Sequence, residues 1–150
     1  FWEVLEIFGG QVLATHNCCR ALCDHDRQFD DRQIRAIIDR GGVIGVAFDD
    51  WMLSPLWDHE SQDNTGITLE TVADHFDHIC QIAGNCQHVG IGSDLDGGYG
   101  KEQSPADMDT IADLQRLEAI FARRGYTDQD ITRMLHGNWL RLLRQHLPAS

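Results

Sequence analysis

The chain has 150 residues, a length that suits one domain with a buried core. Apolar residues make up 42% and charged residues 24%, which are ordinary values for a globular protein. The formal net charge is −12, and this argues against nucleic acid or an anionic membrane as a partner, because both require clustered lysine and arginine. No apolar run approaches the roughly 18 residues that a membrane-spanning helix needs.

The first half of the chain is predicted to alternate between helix and strand. Residues 1–8 carry apolar side chains at helical spacing, which predicts the end of an amphipathic helix. A short apolar run predicts the first strand at residues 12–15. Asp30 is a predicted N-cap with Gln33 at the capping-box position, so a helix is expected to begin there. The unbroken apolar run 43–48 then predicts a second strand buried on both faces, as in a parallel sheet.

The second half continues this alternation after a long irregular loop, predicted for residues 49–66. Thr68 is a predicted N-cap for an amphipathic helix, and residues 88–92 are predicted to form the third strand. The whole order of elements predicts an α/β fold with parallel strands. Two more helices are predicted, the first opened by Ser104 and Pro105 and ending near Gly125, the second opened by Thr127.

The predicted elements do not make up a complete domain. Three strands are too few to close an eight-stranded barrel, and they are few for an independent open sheet. The chain also starts inside a predicted helix, with Phe1 in the place of an initiator methionine. We therefore expect residues 1–150 to be a segment of a larger domain.

Each predicted strand is followed by polar side chains that suit metal-dependent hydrolysis. His16 follows the first strand, Asp49 and Asp50 follow the second, and Asp94 and Asp96 follow the third. Because the carboxyl ends of parallel strands meet at one edge, we expect these side chains to share a site. A neutral imidazole can bind a metal ion, and a carboxylate can bind it or accept a proton from metal-bound water. The residues alone leave open that His16 is a hydrogen-bonded core histidine.

The loop that follows His16 adds a candidate binding residue. Arg27 can anchor an anionic group at the same edge, or it can be a solvated loop charge. His25 lies between these two residues and either lines the site or has no role in it. By contrast, His75 and His78 lie on one predicted helix, and we expect them to face solvent rather than to bind a metal.

The cysteines point to a reducing environment. There are five of them, an odd number, and they form no paired Cys-x-x-Cys spacing. We therefore expect reduced, buried thiols and a cytoplasmic protein. The five are Cys18, Cys19, Cys23, Cys80 and Cys86.

Several of these segments together resemble one known family. The clearest is Thr15-His16-Asn17-Cys18-Cys19-Arg20-Ala21-Leu22-Cys23-Asp24-His25-Asp26-Arg27. It is similar to the His-Ser-x-x-Arg-Ala-Leu-x-x-His-x-Arg segment of the renal (membrane) dipeptidase family, part of the metal-dependent amidohydrolase superfamily. Residues 35–45, 72–79, 89–97 and 137–141 also resemble that family, in the same order.

This resemblance implies a fold and a role for each of three residues. It implies that residues 1–150 are the carboxyl-terminal portion, about strands six to eight, of a (β/α)8 TIM barrel. It implies that His16 binds the second zinc of a binuclear centre, that Arg27 holds the substrate carboxylate, and that Asp94 handles protons beside the metal-bound water. An arginine suits a carboxylate because its planar guanidinium makes two parallel charge-assisted hydrogen bonds.

The resemblance also implies that other metal ligands lie outside this segment. In the family, a His-x-Asp near the first strand, a bridging glutamate and another metal-binding histidine all precede the part that residues 1–150 resemble. We therefore expect this segment alone to be inactive. The stretch Asn17-Cys18-Cys19 stands where many relatives have small residues such as serine, and no role is assigned to these cysteines.

These observations lead to three hypotheses. The first is a zinc-dependent hydrolase that cleaves the peptide bond of a dipeptide through metal-activated water. The second is a non-catalytic half-barrel that folds by associating with a missing amino-terminal portion or, as a homodimer, with a second copy, because its sheet has an open edge. The third is a related amidohydrolase that acts on another amide or on a lactam.

Overall fold

The three predicted strands form one parallel sheet. The structure, a computed structural model, describes residues 1–147. The strands lie in the order β1-β2-β3, with β1 at Ala14–Asn17, β2 at Ile44–Val46 and β3 at Val89–Ile91. Gly45 lies opposite Gly90 where β2 pairs with β3. Because both pairings are parallel, the three carboxyl ends lie at the same edge of the sheet, as the sequence predicts.

Helices connect the strands and follow the last one. Among residues 1–147, no helix has both the length and the apolar character needed to cross a bilayer. The α-helices are α1 (Trp2–Ile7), α2 (Asp31–Asp39), α3 (Asp50–Leu53), α4 (Leu69–Ala83), α5 (Arg116–Arg123), α6 (Asp128–Thr132) and α7 (Asn138–His146). Two 3-10 turns lie at Lys101–Gln103 and Ile111–Gln115, and a π-helical turn, Arg133–Gly137, joins α6 to α7.

Side-chain capping confirms two of the predicted helix starts. At α2, Asp30 Oδ1 accepts a hydrogen bond from the Gln33 N–H at 2.8 Å, and the Asp30 N–H donates to Gln33 Oε1 at 2.9 Å. At α4, Thr68 Oγ1 accepts from the Glu70 N–H at 3.3 Å. Each cap pairs a backbone N–H that has no partner within its helix, so the start of the helix is fixed by the sequence.

The core forms around β2 and one face of α4. All three residues of β2 are buried, as its unbroken apolar run predicts. Phe48, Phe76 and Phe121 are fully buried in one cluster, and the rings of Phe76 and Phe121 lie 5.0 Å apart between centroids. Aromatic pairs in this arrangement add to the free energy gained by burying their area. Large side chains therefore hold α5 against α4, and α4 packs against β2 and β3.

The first strand lies two residues further along the chain than predicted, at Ala14–Asn17 instead of residues 12–15. Leu13 precedes the strand and is 44% exposed. The apolar run does not mark the bounds of this strand. β1 lies at the edge of the sheet, and within residues 1–147 no strand pairs with its outer side. His16 consequently lies within the strand and not after it.

The prediction that a helix begins at Ser104 is wrong. The Ser104 hydroxyl donates to the Gly100 carbonyl oxygen at 2.9 Å, and within the described residues no backbone N–H donates to it as a helix cap requires. Helical structure resumes only after Thr110, whose N–H donates to Asp113 Oδ2 at 2.8 Å, and α5 begins at Arg116. Helical structure therefore begins where Asp113 accepts from the Thr110 N–H, and not at the Ser-Pro signal.

His75, predicted to face solvent, is completely buried. Its Nδ1 accepts a hydrogen bond from the Cys19 N–H, and its Nε2–H donates to the Leu53 carbonyl oxygen, both at 3.0 Å. Burial lowers the pKa of His75 to about 4, which keeps the imidazole neutral. The prediction fails because α4 packs against α2, α3 and α5. His78 is partly exposed, with its Nε2 2.7 Å from Asp31 Oδ1.

Asp50, the first residue of α3, is a buried carboxyl group without a partner. It is completely buried, and neither carboxylate oxygen makes a hydrogen bond within the described part of the chain. Burial, helped by the neighbouring charge of Asp49, raises the pKa of Asp50 from 3.8 to about 8. The carboxyl group is therefore held in its neutral form at neutral pH.

We expect His75→Ala to lower the free energy of unfolding by about 3 kcal/mol, because it leaves a buried N–H and a buried carbonyl unpaired. Urea unfolding followed by circular dichroism measures this change. His78→Ala is the matched control on the same helix, and its partly exposed ion pair should cost less than about 1 kcal/mol. Equal losses in the two variants would contradict the structural role of His75.

We expect Asp50→Asn to change how stability depends on pH. Since the folded-state pKa of Asp50 is raised from 3.8 to about 8, ionisation opposes folding, and the wild-type free energy of unfolding falls as pH rises through that interval. Asparagine does not titrate, so the stability of the variant relative to wild type should improve by at least about 2 kcal/mol from about pH 5 to about pH 8. Urea titrations at both pH values test this, with exposed Asp26→Asn as the control. A constant difference between variant and wild type would contradict it.

Candidate active site

Two of the predicted site residues meet at the carboxyl edge of the sheet. His16 lies near the end of β1, and Asp94 lies in the segment that follows β3. His16 Nε2 is 4.0 Å from Asp94 Oδ2. The two side chains are 40% and 28% exposed, so a substrate or an ion can reach both of them.

Two glycines permit this close approach. The Thr15 carbonyl oxygen packs against Gly45 of β2 and against Gly92, which follows β3. A Cβ atom on Gly45 would lie 2.1 Å from that oxygen, and one on Gly92 would lie 2.0 Å from it, distances that exclude any side chain. The glycines therefore let the carboxyl end of β1 lie against β2 and β3, which brings His16 towards Asp94.

Asp94 is held in an uncommon backbone conformation. Its φ angle is +59°, in the left-handed region that non-glycine residues seldom adopt and that aspartate tolerates better than most. The Gly97 N–H donates to the Asp94 carbonyl oxygen at 2.8 Å and closes a tight turn. This turn fixes the direction in which the carboxylate leaves the chain, and such conformations are concentrated at functional sites.

The other ring nitrogen of His16 has a local partner. Thr15 Oγ1 lies 2.8 Å from His16 Nδ1. When Nδ1 carries the proton and donates it to the hydroxyl, the Nε2 lone pair is left free towards Asp94. A hydrogen bond of this kind orients the imidazole of a metal-binding histidine and fixes its tautomer.

The third predicted residue, Arg27, lies beside His16. Its Nη2 donates to the His16 carbonyl oxygen at 3.2 Å, and its backbone N–H donates to His25 Nδ1 at 3.0 Å. The ring of His25 packs edge-on against Trp51, with centroids 5.0 Å apart. His25 therefore helps to position the backbone of Arg27, while other N–H groups of the guanidinium remain for an anion.

A residue that the sequence analysis missed secures this loop. Gln28 is completely buried, its Oε1 accepts from the Cys18 N–H at 3.1 Å, and its Nε2 donates to the Met52 carbonyl oxygen at 3.2 Å. These bonds tie the two ends of the Cys18–Gln28 loop to each other and to α3. No sequence signal marks Gln28, because a glutamine in a polar loop is ordinarily solvated.

Asp49, at the end of the second strand segment, lies close to the same edge. Its Oδ2 accepts from Trp51 Nε1–H at 2.6 Å, and its Oδ1 accepts from Gln103 Nε2 at 2.8 Å. Burial raises the pKa of Asp49, the two hydrogen bonds act in the opposite direction, and the charge of Asp94 adds a further rise. Asp49 is thus a buried carboxyl group whose oxygens are fixed by two donors.

Tyr99 is a second residue that the sequence analysis missed. Its hydroxyl donates to the Ser93 carbonyl oxygen at 3.1 Å. Burial raises the pKa of Tyr99, and the charges of Asp49 and Asp94 raise it further, so the phenol stays protonated. The glycine-rich turn that precedes Tyr99 is the signal that could have drawn attention to it. The carboxyl edge therefore combines acidic groups with one neutral phenol.

These residues provide part of a donor set for a metal ion. His16 supplies an imidazole nitrogen and Asp94 a carboxylate oxygen, both of which are suitable zinc ligands. Zinc sites in proteins use three or four protein ligands. Within residues 1–147, no group of three or more histidine, cysteine, aspartate or glutamate side chains is arranged to hold a metal. The described residues therefore do not form a metal centre by themselves.

Comparison with known proteins points to one family. The family model for membrane dipeptidases, peptidase family M19, matches residues 1–149. A protein encoded in the pqqA 5′ region of Klebsiella pneumoniae, itself uncharacterised, is 35% identical over 96% of this chain, and human dipeptidase 3 is 31% identical over 95% of it. The solved structure of a metallo peptidase from Rhodobacter sphaeroides, liganded with a phosphinate mimic of the dipeptide L-Ala-D-Ala, superposes with a TM-score of 0.80 at 27% identity over 95% of this chain.

In each case, the chain corresponds to part of a longer protein. It spans 50% of the Klebsiella protein, 27% of human dipeptidase 3 and 38% of the Rhodobacter structure. The parallel sheet and these structural relatives confirm the predicted α/β fold as part of a TIM barrel. Because the family model covers nearly the whole sequence, the chain belongs to the membrane dipeptidase family, peptidase family M19.

Proposed function

We propose that the protein containing this chain is a zinc-dependent dipeptidase, which hydrolyses the peptide bond of a dipeptide. The main support is that His16, Asp94 and Arg27 lie together at one edge of the sheet, in a chain that belongs to this family. The phosphinate dipeptide mimic bound to the Rhodobacter relative supports the class of substrate. No observation favours another amide or a lactam over a dipeptide.

Arg27 is proposed to bind the carboxylate at the carboxyl end of the dipeptide. Its guanidinium is anchored by one bond to the His16 carbonyl oxygen, so it lies on the His16 side of the edge. The remaining donors form a planar pair that matches the two oxygens of a carboxylate.

Asp94 is proposed to carry the proton transfers of the reaction. Its carboxylate is partly exposed and held in place by the turn that Gly97 closes. In hydrolysis, a proton must leave the attacking water and another must reach the leaving nitrogen. A fixed carboxylate that lies at the site can accept the first and deliver the second.

His16 is proposed to be one zinc ligand of a binuclear centre, bound through Nε2. A bound zinc ion would supply a Lewis acid and lower the pKa of a coordinated water molecule. Since residues 1–147 hold no complete ligand set, we propose that the other ligands come from protein outside residues 1–150. The alternative source is a second copy of the chain, joined in a homodimer.

Arg27→Lys should raise KM for a dipeptide with a free carboxylate by at least about tenfold, since lysine cannot make the two parallel bonds. Steady-state hydrolysis by the full-length protein measures this. For the same dipeptide with an amidated carboxyl terminus, KM should be nearly equal in Arg27→Lys and wild type. Arg35→Lys, at an exposed position of α2, is the control. A loss that is equal for both substrates would contradict the proposed role.

Asp94→Asn should lower kcat by about 100-fold or more, the usual contribution of a positioned acid or base. Single-turnover hydrolysis of a simple dipeptide by the full-length, metal-loaded protein separates this loss from substrate binding. The control is Asp96→Asn, since Asp96 is exposed two residues away and should leave kcat nearly unchanged. A kcat for Asp94→Asn within a few-fold of wild type would rule out the proposed proton transfer.

A further inference from the structure

Asp49 lies between the two loops that carry Arg27 and Asp94, and both of its carboxylate oxygens are engaged. The residue follows β2 and is 6% exposed. Its Oδ2 accepts from Trp51 Nε1–H at 2.6 Å, and its Oδ1 accepts from Gln103 Nε2 at 2.8 Å. The proposed zinc binding and proton transfers do not use this carboxylate. Its two donors instead indicate that it holds the surrounding structure in place.

On one side, Asp49 fixes the indole of Trp51, which supports the loop of Arg27. The Cys23 thiol donates to the Trp51 carbonyl oxygen at 3.3 Å, and the ring of His25 packs edge-on against the indole, with centroids 5.0 Å apart. His25 Nδ1 in turn accepts from the Arg27 N–H at 3.0 Å. These contacts connect the Asp49 carboxylate to the backbone of Arg27.

On the other side, Gln103 fixes the plane of the Asp49 carboxylate. Gln103 ends the first 3-10 turn, in the segment that follows Asp94. The Phe48 N–H donates to the Ser93 carbonyl oxygen at 2.9 Å, so the residues just before Asp49 and Asp94 are bonded to each other. The segment that leaves β3 therefore starts beside Asp49 and returns to it at Gln103.

Arg27 is consequently held at two points. Its backbone N–H is bound to His25, and its Nη2 donates to the His16 carbonyl oxygen at 3.2 Å. Two attachments define where the rest of the guanidinium lies, and a parallel pair of hydrogen bonds to a carboxylate requires a defined orientation. If the indole of Trp51 is free to turn, the ring of His25 loses the surface on which it packs, and the backbone attachment weakens.

We propose that Asp49 is a positioning residue, which orients Arg27 towards the carboxylate of a dipeptide by fixing Trp51 and His25. This inference rests on the proposed function, because it takes Arg27 as the group that binds that carboxylate. A carboxylate suits this task because each of its oxygens can accept a donor, and hydrogen bonds to a charged group are stronger than those between neutral groups. In this role Asp49 acts through its neighbours and does not touch the substrate.

The test compares hydrolysis of a dipeptide with hydrolysis of its carboxyl-amidated form by the full-length, metal-loaded protein. The selectivity is the ratio of kcat/KM for the free dipeptide to kcat/KM for the amide. Asp49→Ala should lower the selectivity at least about fivefold through KM, while kcat for the free dipeptide stays within about twofold of wild type. An equal loss of activity on both substrates would show a purely structural role and would overturn the proposal.

A double variant and a matched control make the test specific. In the Arg27→Lys background, Asp49→Ala should lower the selectivity no further, because both changes act on the same contact with substrate. The control is Asp107→Ala. The Asp107 carboxylate also takes two donors, the Leu69 N–H at 2.9 Å and Arg116 Nη2 at 3.0 Å, and neither lies in the loop of Arg27. Its loss should leave the selectivity unchanged.

Trp51→Phe tests the same path if Asp49→Ala does not fold, as judged by circular dichroism. It keeps an aromatic ring beside His25 and removes the donor to Asp49, so it should lower the selectivity at least about threefold. A wild-type selectivity of about one would contradict the proposed role of Arg27 and this inference with it. A high wild-type selectivity that the folded variants retain would overturn only the inference about Asp49.

Discussion

The buried imidazole of His75 is the interaction on which the candidate site depends. It takes one hydrogen bond from the backbone of Cys19 and gives one to that of Leu53, so α4 is joined to the segments that follow β1 and β2. Because burial lowers the pKa of His75 to about 4, the ring stays neutral and can make one bond of each kind. The loop that carries Arg27 begins at this anchor.

Contacts near His75 then position the side chains of the candidate site. Gln28 closes the loop against α3, and the Arg27 guanidinium reaches back to the His16 carbonyl oxygen. On the other side, Gly92 lets β1 approach β3, and the turn at Asp94 directs its carboxylate towards His16. Each functional side chain is held through the backbone beside it, and positioning of this kind is what catalysis requires.

The features of the fold and site that depend on local sequence signals can be predicted from the sequence. Capping at Asp30 and Thr68, the apolar run of β2 and the polar residues after each strand are all local, and they lead to the parallel sheet and to His16, Arg27 and Asp94 as candidates. The competing cap at Thr110 is also local, because its partner Asp113 is three residues away. The burial of His75 and Gln28 and the shifted bounds of β1 depend on contacts between distant segments. No periodicity or spacing in the chain encodes those contacts, so these features become visible only in the folded structure.

We propose that His16, Asp94 and Arg27 form one wall of a metal-dependent dipeptidase site. The most direct measurement is a crystal structure of the full-length protein with zinc and a phosphinate dipeptide mimic, with the metal located by anomalous scattering. We expect a zinc ion about 2.1 Å from His16 Nε2. We also expect the carboxylate of the mimic to pair with the Arg27 guanidinium. A zinc ion bound elsewhere, with His16 and Arg27 contacting neither metal nor mimic, would contradict this proposal.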